Sequence, residues 1–98
     1  MFVVAVLRMR DPDLNARHRP AHLEYLAELR REGKVWASGP FPDGQGGMVI
    51  YRTPDLETAR ALAEADPLVR TGARHLDLYR WQPFAPVPAI AEGEEGTG

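Results

Sequence analysis

Phe2-Val3-Val4-Ala5-Val6-Leu7 is apolar at both parities and partly β-branched. Such a run reads as a strand buried on both faces, and therefore as an inner strand of its sheet. Asp11-Pro12-Asp13 ends it with turn chemistry. A helical pattern follows, with His22, Tyr25, Leu26 and Leu29 on one stripe, Arg30, Arg31 and Glu32 in the last turn, and Gly33 as the stop. Pro20 is expected at the first turn of this helix, because an interior proline removes a hydrogen bond. Residues 12–18 are then a separate turn or short lead-in. Lys34–Phe41 reads as a second strand and Met48–Arg52 as a third, with Pro42–Gly47 as the hairpin loop between them.

Thr53 as N-cap and Pro54 in the first turn open a second helix, with Leu56, Ala59, Leu62, Ala63 and Asp66 on one face. Pro67 forces Asp66 out of the α region and ends it. After Gly72, Ala73–Trp81 alternates Leu76 and Leu78 against His75, Asp77, Tyr79 and Trp81, the pattern of an edge strand with unlike faces. The order βαββαβ predicts an α+β, ferredoxin-like domain whose four-stranded antiparallel sheet has the order 4-1-3-2. Residues 1–84 form that domain, and residues 85–98, rich in Pro, Gly and Glu, are expected to be a flexible C-terminal tail. Two helices cover one sheet face. The apolar second face of strands one and three needs its own cover, and the expected cover is a second copy of the chain, a homodimer through sheet faces.

Composition removes several function classes. The absence of cysteine excludes disulfides, thiolate catalysis, Fe–S clusters and Cys-type zinc sites. Twelve Lys+Arg against 14 Asp+Glu give a net charge of −2, without the basic stripe of a nucleic-acid binder. Met1–Leu7, the longest apolar run, is too short for a membrane span or a signal peptide. The expectation is a cytoplasmic protein with a small-molecule substrate, no nucleic-acid partner and no membrane partner.

The predicted topology gathers distant residues at one rim. His22 from the first helix, Asp66 from the end of the second and His75 from the start of strand four meet there. Arg8 and Arg10, closing strand one, and the Gly39–Gly47 hairpin arrive at the same end. His22 and Asp66 both sit on apolar stripes, where an unpaired polar group is costly, and each satisfies the other. A carboxylate on one imidazole nitrogen fixes the tautomer and stabilises the imidazolium, as a general base or acid requires. The same bond also serves as a tie between two helices, in a non-catalytic module that binds a small ligand or a protein. Substrate contacts are expected from Arg8, Arg19, Ser38, Gly39, Pro40 and His75. His18 and His22 have a metal-pair spacing that Pro20 spoils, and Ser38 lacks a nucleophile elbow, so neither a metal nor a cofactor is expected.

Arg19-Pro20-Ala21-His22-Leu23, then Leu29 and Gly33, then Ser38-Gly39-Pro40-Phe41, then Ala65-Asp66-Pro67 with Gly72, then Trp81, Pro83 and Phe84 resemble, in order and spacing, the YciI family over residues 1–84. The resemblance implies a dimeric ferredoxin-like α+β barrel related to muconolactone isomerases, with His22 and Asp66 as the active-site pair. It also implies a small cofactor-independent enzyme, a lyase, an isomerase or a dehydrochlorinase, acting on a cyclic or aromatic molecule; one family member dehydrochlorinates a chlorinated hydroxyhydroquinone. Two features depart from the family pattern on the substrate side: Leu68 stands where an aromatic residue is common, and the hairpin loop is short.

Overall fold

β1 (Phe2–Met9) lies inside the sheet, paired antiparallel to β3 (Gly46–Arg52) on one side and β4 (Arg74–Trp81) on the other. β2 (Val35–Pro40) completes the order β2-β3-β1-β4, which is 4-1-3-2 read from the opposite edge. The fold is α+β and ferredoxin-like. The computed structural model describes residues 1–84, and the tail expected at 85–98 lies outside the described residues. Strand register sorts the side chains by face. Val3, Ala5 and Leu7 stand opposite Tyr51, Val49 and Gly47, and with Leu26, Leu29, Ala59 and Ala63 from the helices they form the core. Phe2, Val4 and Val6 stand opposite Arg52, Ile50 and Met48 on the other face. There Phe2 meets the rings of Trp36 and Trp81 edge-on at 5.6 and 6.3 Å.

α1 (Pro12–Arg31) is one unbroken helix with Pro20 in its interior, not a helix that Pro20 starts. Asp11 and Pro12 form the stronger start signal: the Asp11 carboxylate accepts from the N–H groups of Asp13 and Leu14, both at 3.1 Å. Pro20 and Ala16 are exposed, so the carbonyl that loses its partner opposite the proline can bond water instead. His22 is consequently a mid-helix residue. α2 (Leu56–Ala65) is capped by Asp55 rather than Thr53. The Asp55 carboxylate accepts from Thr58 N–H at 2.7 Å, while the Thr53 hydroxyl is spent donating to the Asp55 carbonyl at 2.8 Å. Asp66 has an extended ψ of 128°, as the proline after it demands, and α3 (Pro67–Arg70) then adds one helical turn absent from the sequence reading.

β3 begins at Gly46, two residues before the expected Met48, because two glycines let the hairpin close onto its neighbours. Gly46 has φ +122°, and a Cβ there would lie 2.0 Å from the Leu7 carbonyl oxygen. A Cβ on Gly47 would lie 2.7 Å from the Gly39 carbonyl. Only glycine fits at such approaches, and they set the floor of the cleft described next. No helix among the described residues is long and apolar enough to cross a membrane.

Candidate active site

The inner stripe of α1 carries Asn15, His22, Leu26 and Leu29, all buried. His22, 7% exposed, reaches the corner where α2 gives way to α3. Its Nδ1 lies 2.8 Å from one Asp66 carboxylate oxygen and 2.9 Å from the other. Asp66 is fully buried and held by its own backbone as well as by His22. Its Oδ1 accepts from Leu68 N–H at 2.9 Å, and its carbonyl accepts from Val69 and Arg70 at 2.9 and 2.7 Å. An ionised carboxylate only accepts, so Nδ1 carries a proton and donates it. In the neutral ring Nε2 is then a free acceptor. Nε2 has no hydrogen-bond partner among the described residues and is not sealed from solvent.

His22 lines a cleft of about 190 Å³ between α1 and the β2–β3 hairpin. Of the residues expected around it, Arg19, Ser38, Gly39 and Pro40 line the same cleft. The Ser38 hydroxyl accepts from Arg30 at 2.8 Å and has no recorded bond to His22, so a Ser–His–Asp triad is not assembled. Arg8 and His75 stand opposite each other on the far face of the sheet, where both meet Asp77, at 3.2 and 3.4 Å. They reach the expected rim on the wrong side of it for His22. Side chains alternate along a strand: Leu7 faces the helices, so Arg8 cannot, and Arg74 faces the helices, so His75 cannot. A larger groove of about 490 Å³ runs along Met1, Phe2 and Arg80–Pro83, but it holds no acid–base pair. Among the described residues no group of three His, Asp or Glu side chains is placed to hold a metal ion.

One cleft residue, Arg74, and its partner Asn15 escaped the sequence reading. Arg74, 9% exposed, lines the cleft, and its Nε donates to the Asn15 carbonyl oxygen at 2.7 Å. The available signal was spacing: Asn15 lies seven residues before His22 on one helical stripe, and Arg74 shares the parity of Leu76 and Leu78. Burial depresses the affinity of Arg74 for its proton, and the nearby Arg19 charge adds to this, while Asp66 opposes both. Burial pushes the Tyr51 phenol well above its usual range, helped by the Asp66 charge. That buried hydroxyl has no hydrogen-bond partner among the described residues. Tyr25 is raised by the same two causes and donates to the Leu62 carbonyl at 2.7 Å. Asp66 thus sits in a buried surround where its side-chain partners among the described residues are the imidazole and the Leu68 N–H.

Known proteins share this arrangement of chain. The chain is 34% identical over 82 residues to the uncharacterised protein YjpA of Bacillus subtilis (strain 168), covering 84% of this chain and 96% of that one. It is 41% identical over 64 residues to protein YciI of Escherichia coli O6:H1, covering 55% of this chain and 65% of that protein. Among solved structures, the 5-chloro-2-hydroxyhydroquinone dehydrochlorinase of Burkholderia phenoliruptrix AC1100, in complex with 2,5-dihydroxybenzoquinone, superposes with a TM-score of 0.70. That match has 22% identity and covers 84% of this chain and 94% of the enzyme, which bears on fold. The profile of the YCII-related domain matches residues 1–82, and with it the chain belongs to the YCII-related domain family.

Proposed function

We propose that this chain is a cofactor-independent proton-transfer enzyme, a lyase, isomerase or dehydrochlorinase acting on a small cyclic or aromatic molecule. One observation carries the reading: the buried Asp66 carboxylate accepts the hydrogen bond from Nδ1 of His22, a residue that lines the cleft, and Nε2 has no partner among the described residues. In that state His22 accepts a proton from substrate, and Asp66 stabilises the imidazolium that forms. When the substrate carries a leaving group, the electron pair freed by deprotonation moves into the ring system and the leaving group departs with its own pair. A dehydrochlorination is the loss of a proton and a chloride by this route. The structural likeness to a dehydrochlorinase agrees with it. The cleft volume of about 190 Å³ is below the ~300–1,000 Å³ of drug-sized sites, which suits a molecule of about one ring. Arg19, Ser38, Gly39 and Pro40 are the proposed substrate contacts.

The working unit of this proposal is a homodimer packed through the open sheet face. Phe2, Val4, Val6, Met48, Tyr79 and Trp81 line that face, and Tyr79 and Trp81 are exposed large side chains in the single chain. Apolar side chains gathered on one open sheet face in this way are rare on a monomer. A second reading, a non-catalytic binding module, draws on the complete burial of Asp66 and its part in capping α3, since both suit a structural tie.

The test is turnover without added metal or cofactor. Chloride release from 5-chloro-2-hydroxyhydroquinone, and deuterium wash-in at ring carbons in D₂O, are followed for the wild type and for His22→Gln. Proton transfer by His22 predicts a rate lower by ~10²–10⁴-fold in the variant. Binding without turnover, or equal turnover in the variant, leaves the non-catalytic module in front.

A further inference from the structure

We propose that Arg74, fixed by Asn15 and joined by Arg19, is a binding site for a compact oxyanion (a carboxylate, or the enolate or phenolate oxygen of a ring) beside Nε2 of His22. The proton-transfer reading supplies what the anion does next; the binding site itself stands on the arginine.

The argument starts from charge accounting. Arg74 is buried, yet its only hydrogen-bond partner among the described residues is a neutral amide oxygen. None of the ion pairs among those residues includes Arg74 or Arg19. The carboxylate whose field Arg74 feels, Asp66, has committed both oxygens to His22 and one of them also to Leu68. Two guanidinium groups near enough to repel each other therefore line one cleft, and no carboxylate among the described residues is ion-paired with either. A buried charge without a counter-charge is a standing cost. An Asp at position 15 would remove that cost at the same 2.7 Å contact, so a purely structural tie between α1 and β4 gains nothing from asparagine.

An external anion resolves it. Asn15 occupies Nε and thereby orients the guanidinium plane. The two terminal Nη groups have no partner among the described residues and are not sealed from solvent. They present the planar fork that recognises two oxygens or one oxygen with two lone pairs. Where His22 withdraws a proton next to a ring carbonyl, negative charge gathers on the oxygen. A preorganised, largely buried guanidinium stabilises that charge more than water does. Arg74 is thus assigned to holding the oxyanion, and Asn15 to positioning Arg74.

Benzoate and its neutral isostere benzamide are the probes, titrated by calorimetry into the wild type, Arg74→Gln and Asn15→Asp. The wild type is expected to bind benzoate at least ~10-fold more tightly than benzamide, the scale of one charge-assisted hydrogen bond. Arg74→Gln loses that preference. Asn15→Asp keeps the guanidinium but neutralises it, so benzoate affinity falls ~10-fold or more while the melting temperature holds or rises. This second variant decides the matter if Arg74→Gln does not fold. Equal wild-type affinity for the two probes, no binding of benzoate, or unchanged benzoate affinity in Asn15→Asp overturns the proposal. These outcomes are separate from chloride release: benzoate binding without turnover removes the proton-transfer reading and keeps the anion site, and turnover without a benzoate preference does the reverse.

Discussion

Replacing Asp66 by Asn changes one atom and inverts the chemistry of the pair. In the wild type Oδ1 serves both Leu68 N–H, at 2.9 Å, and His22 Nδ1, at 2.8 Å, while Oδ2 faces the same Nδ1 at 2.9 Å. Asn has one acceptor oxygen, and the Leu68 N–H at the start of α3 claims it. The amide NH₂ then falls where Oδ2 was and presents a donor to Nδ1. A protonated Nδ1 would oppose a donor at under 3 Å, so the ring must switch to the Nε2–H tautomer. The bond being lost is charge-assisted and worth ~1.5–3 kcal/mol, which biases the wild-type tautomer ratio by ~10-fold to over 100-fold. Asn caps a helix about as well as Asp, so α3 keeps its start, and the stability loss should stay near that same ~1.5–3 kcal/mol. In a domain of this size that lowers the melting temperature by roughly 10–20 °C. Long-range ¹H–¹⁵N spectra distinguish a protonated from an unprotonated ring nitrogen directly. Nδ1–H is expected in the wild type and Nε2–H in Asp66→Asn, with turnover collapsing because the cleft-facing nitrogen no longer accepts. The same tautomer in both proteins, or a melting temperature that barely moves, refutes the derivation.

Four further outcomes follow from other parts of the chain. Tyr51→Phe removes a buried hydroxyl with no partner among the described residues, so stability should hold or rise by up to ~1 kcal/mol in thermal melts, where a bonded tyrosine would lose that much. Gly46→Ala puts a Cβ 2.0 Å from the Leu7 carbonyl oxygen at φ +122°, and should cost at least ~2–3 kcal/mol by urea unfolding; a loss under half of that would mean the hairpin moves easily. Val4→Lys places a charge in the middle of the open sheet face, and sedimentation should record a two-chain mass for the wild type and a one-chain mass for the variant; a one-chain wild type contradicts the proposed dimer. The Asp55 carboxyl is held below its ordinary 3.8 by hydrogen bonds from the Thr58 side chain and backbone. Its stabilisation is therefore full above that ordinary value and fades as pH falls through the lower folded one. Asp55→Asn should flatten this acid limb in urea titrations, and an unchanged limb argues against the cap.

The sheet was legible because β1 and β3 are apolar at both parities, and only inner strands have two faces to bury. The His22–Asp66 pair was legible because burial leaves each of them no cheaper partner. Pro20 misled for the opposite reason. The local rule against interior prolines is real, but it was outweighed by an Asp-Pro start at residues 11 and 12 and by the exposure of Ala16 and Pro20, which leaves the freed carbonyl open to solvent. Arg8 and His75 misled because position along a strand was read without parity; one residue of alternation separates a cleft residue from its opposite face. Asn15 and Arg74 are 59 positions apart, and no local pattern announces that an amide on one element will hold a guanidinium on another.

Asp66-Pro67 carries more of the site than either helix does. Pro67 excludes the α region at Asp66, which ends α2, turns the backbone to ψ 128° and sets Asp66 as the cap of α3. A capping carboxylate must face the N–H groups of the turn it caps, so its direction follows from the backbone before any contact with α1 exists. His22 then meets an acceptor already aimed, and its ring is oriented by a residue that the chain's own local geometry holds. The tautomer at Nδ1, and through it the free nitrogen in the cleft, therefore descends from one dipeptide. A substitution at Pro67 that lets α2 continue through residue 66 would move the carboxylate off His22 without touching either member of the pair. Pro67→Ala should accordingly lose the Nδ1–H signature in ¹⁵N spectra and lose turnover, while the circular-dichroism helix signal holds or grows. Retention of that signature in Pro67→Ala would show that the pairing with His22, and not the backbone, sets the direction of the carboxylate.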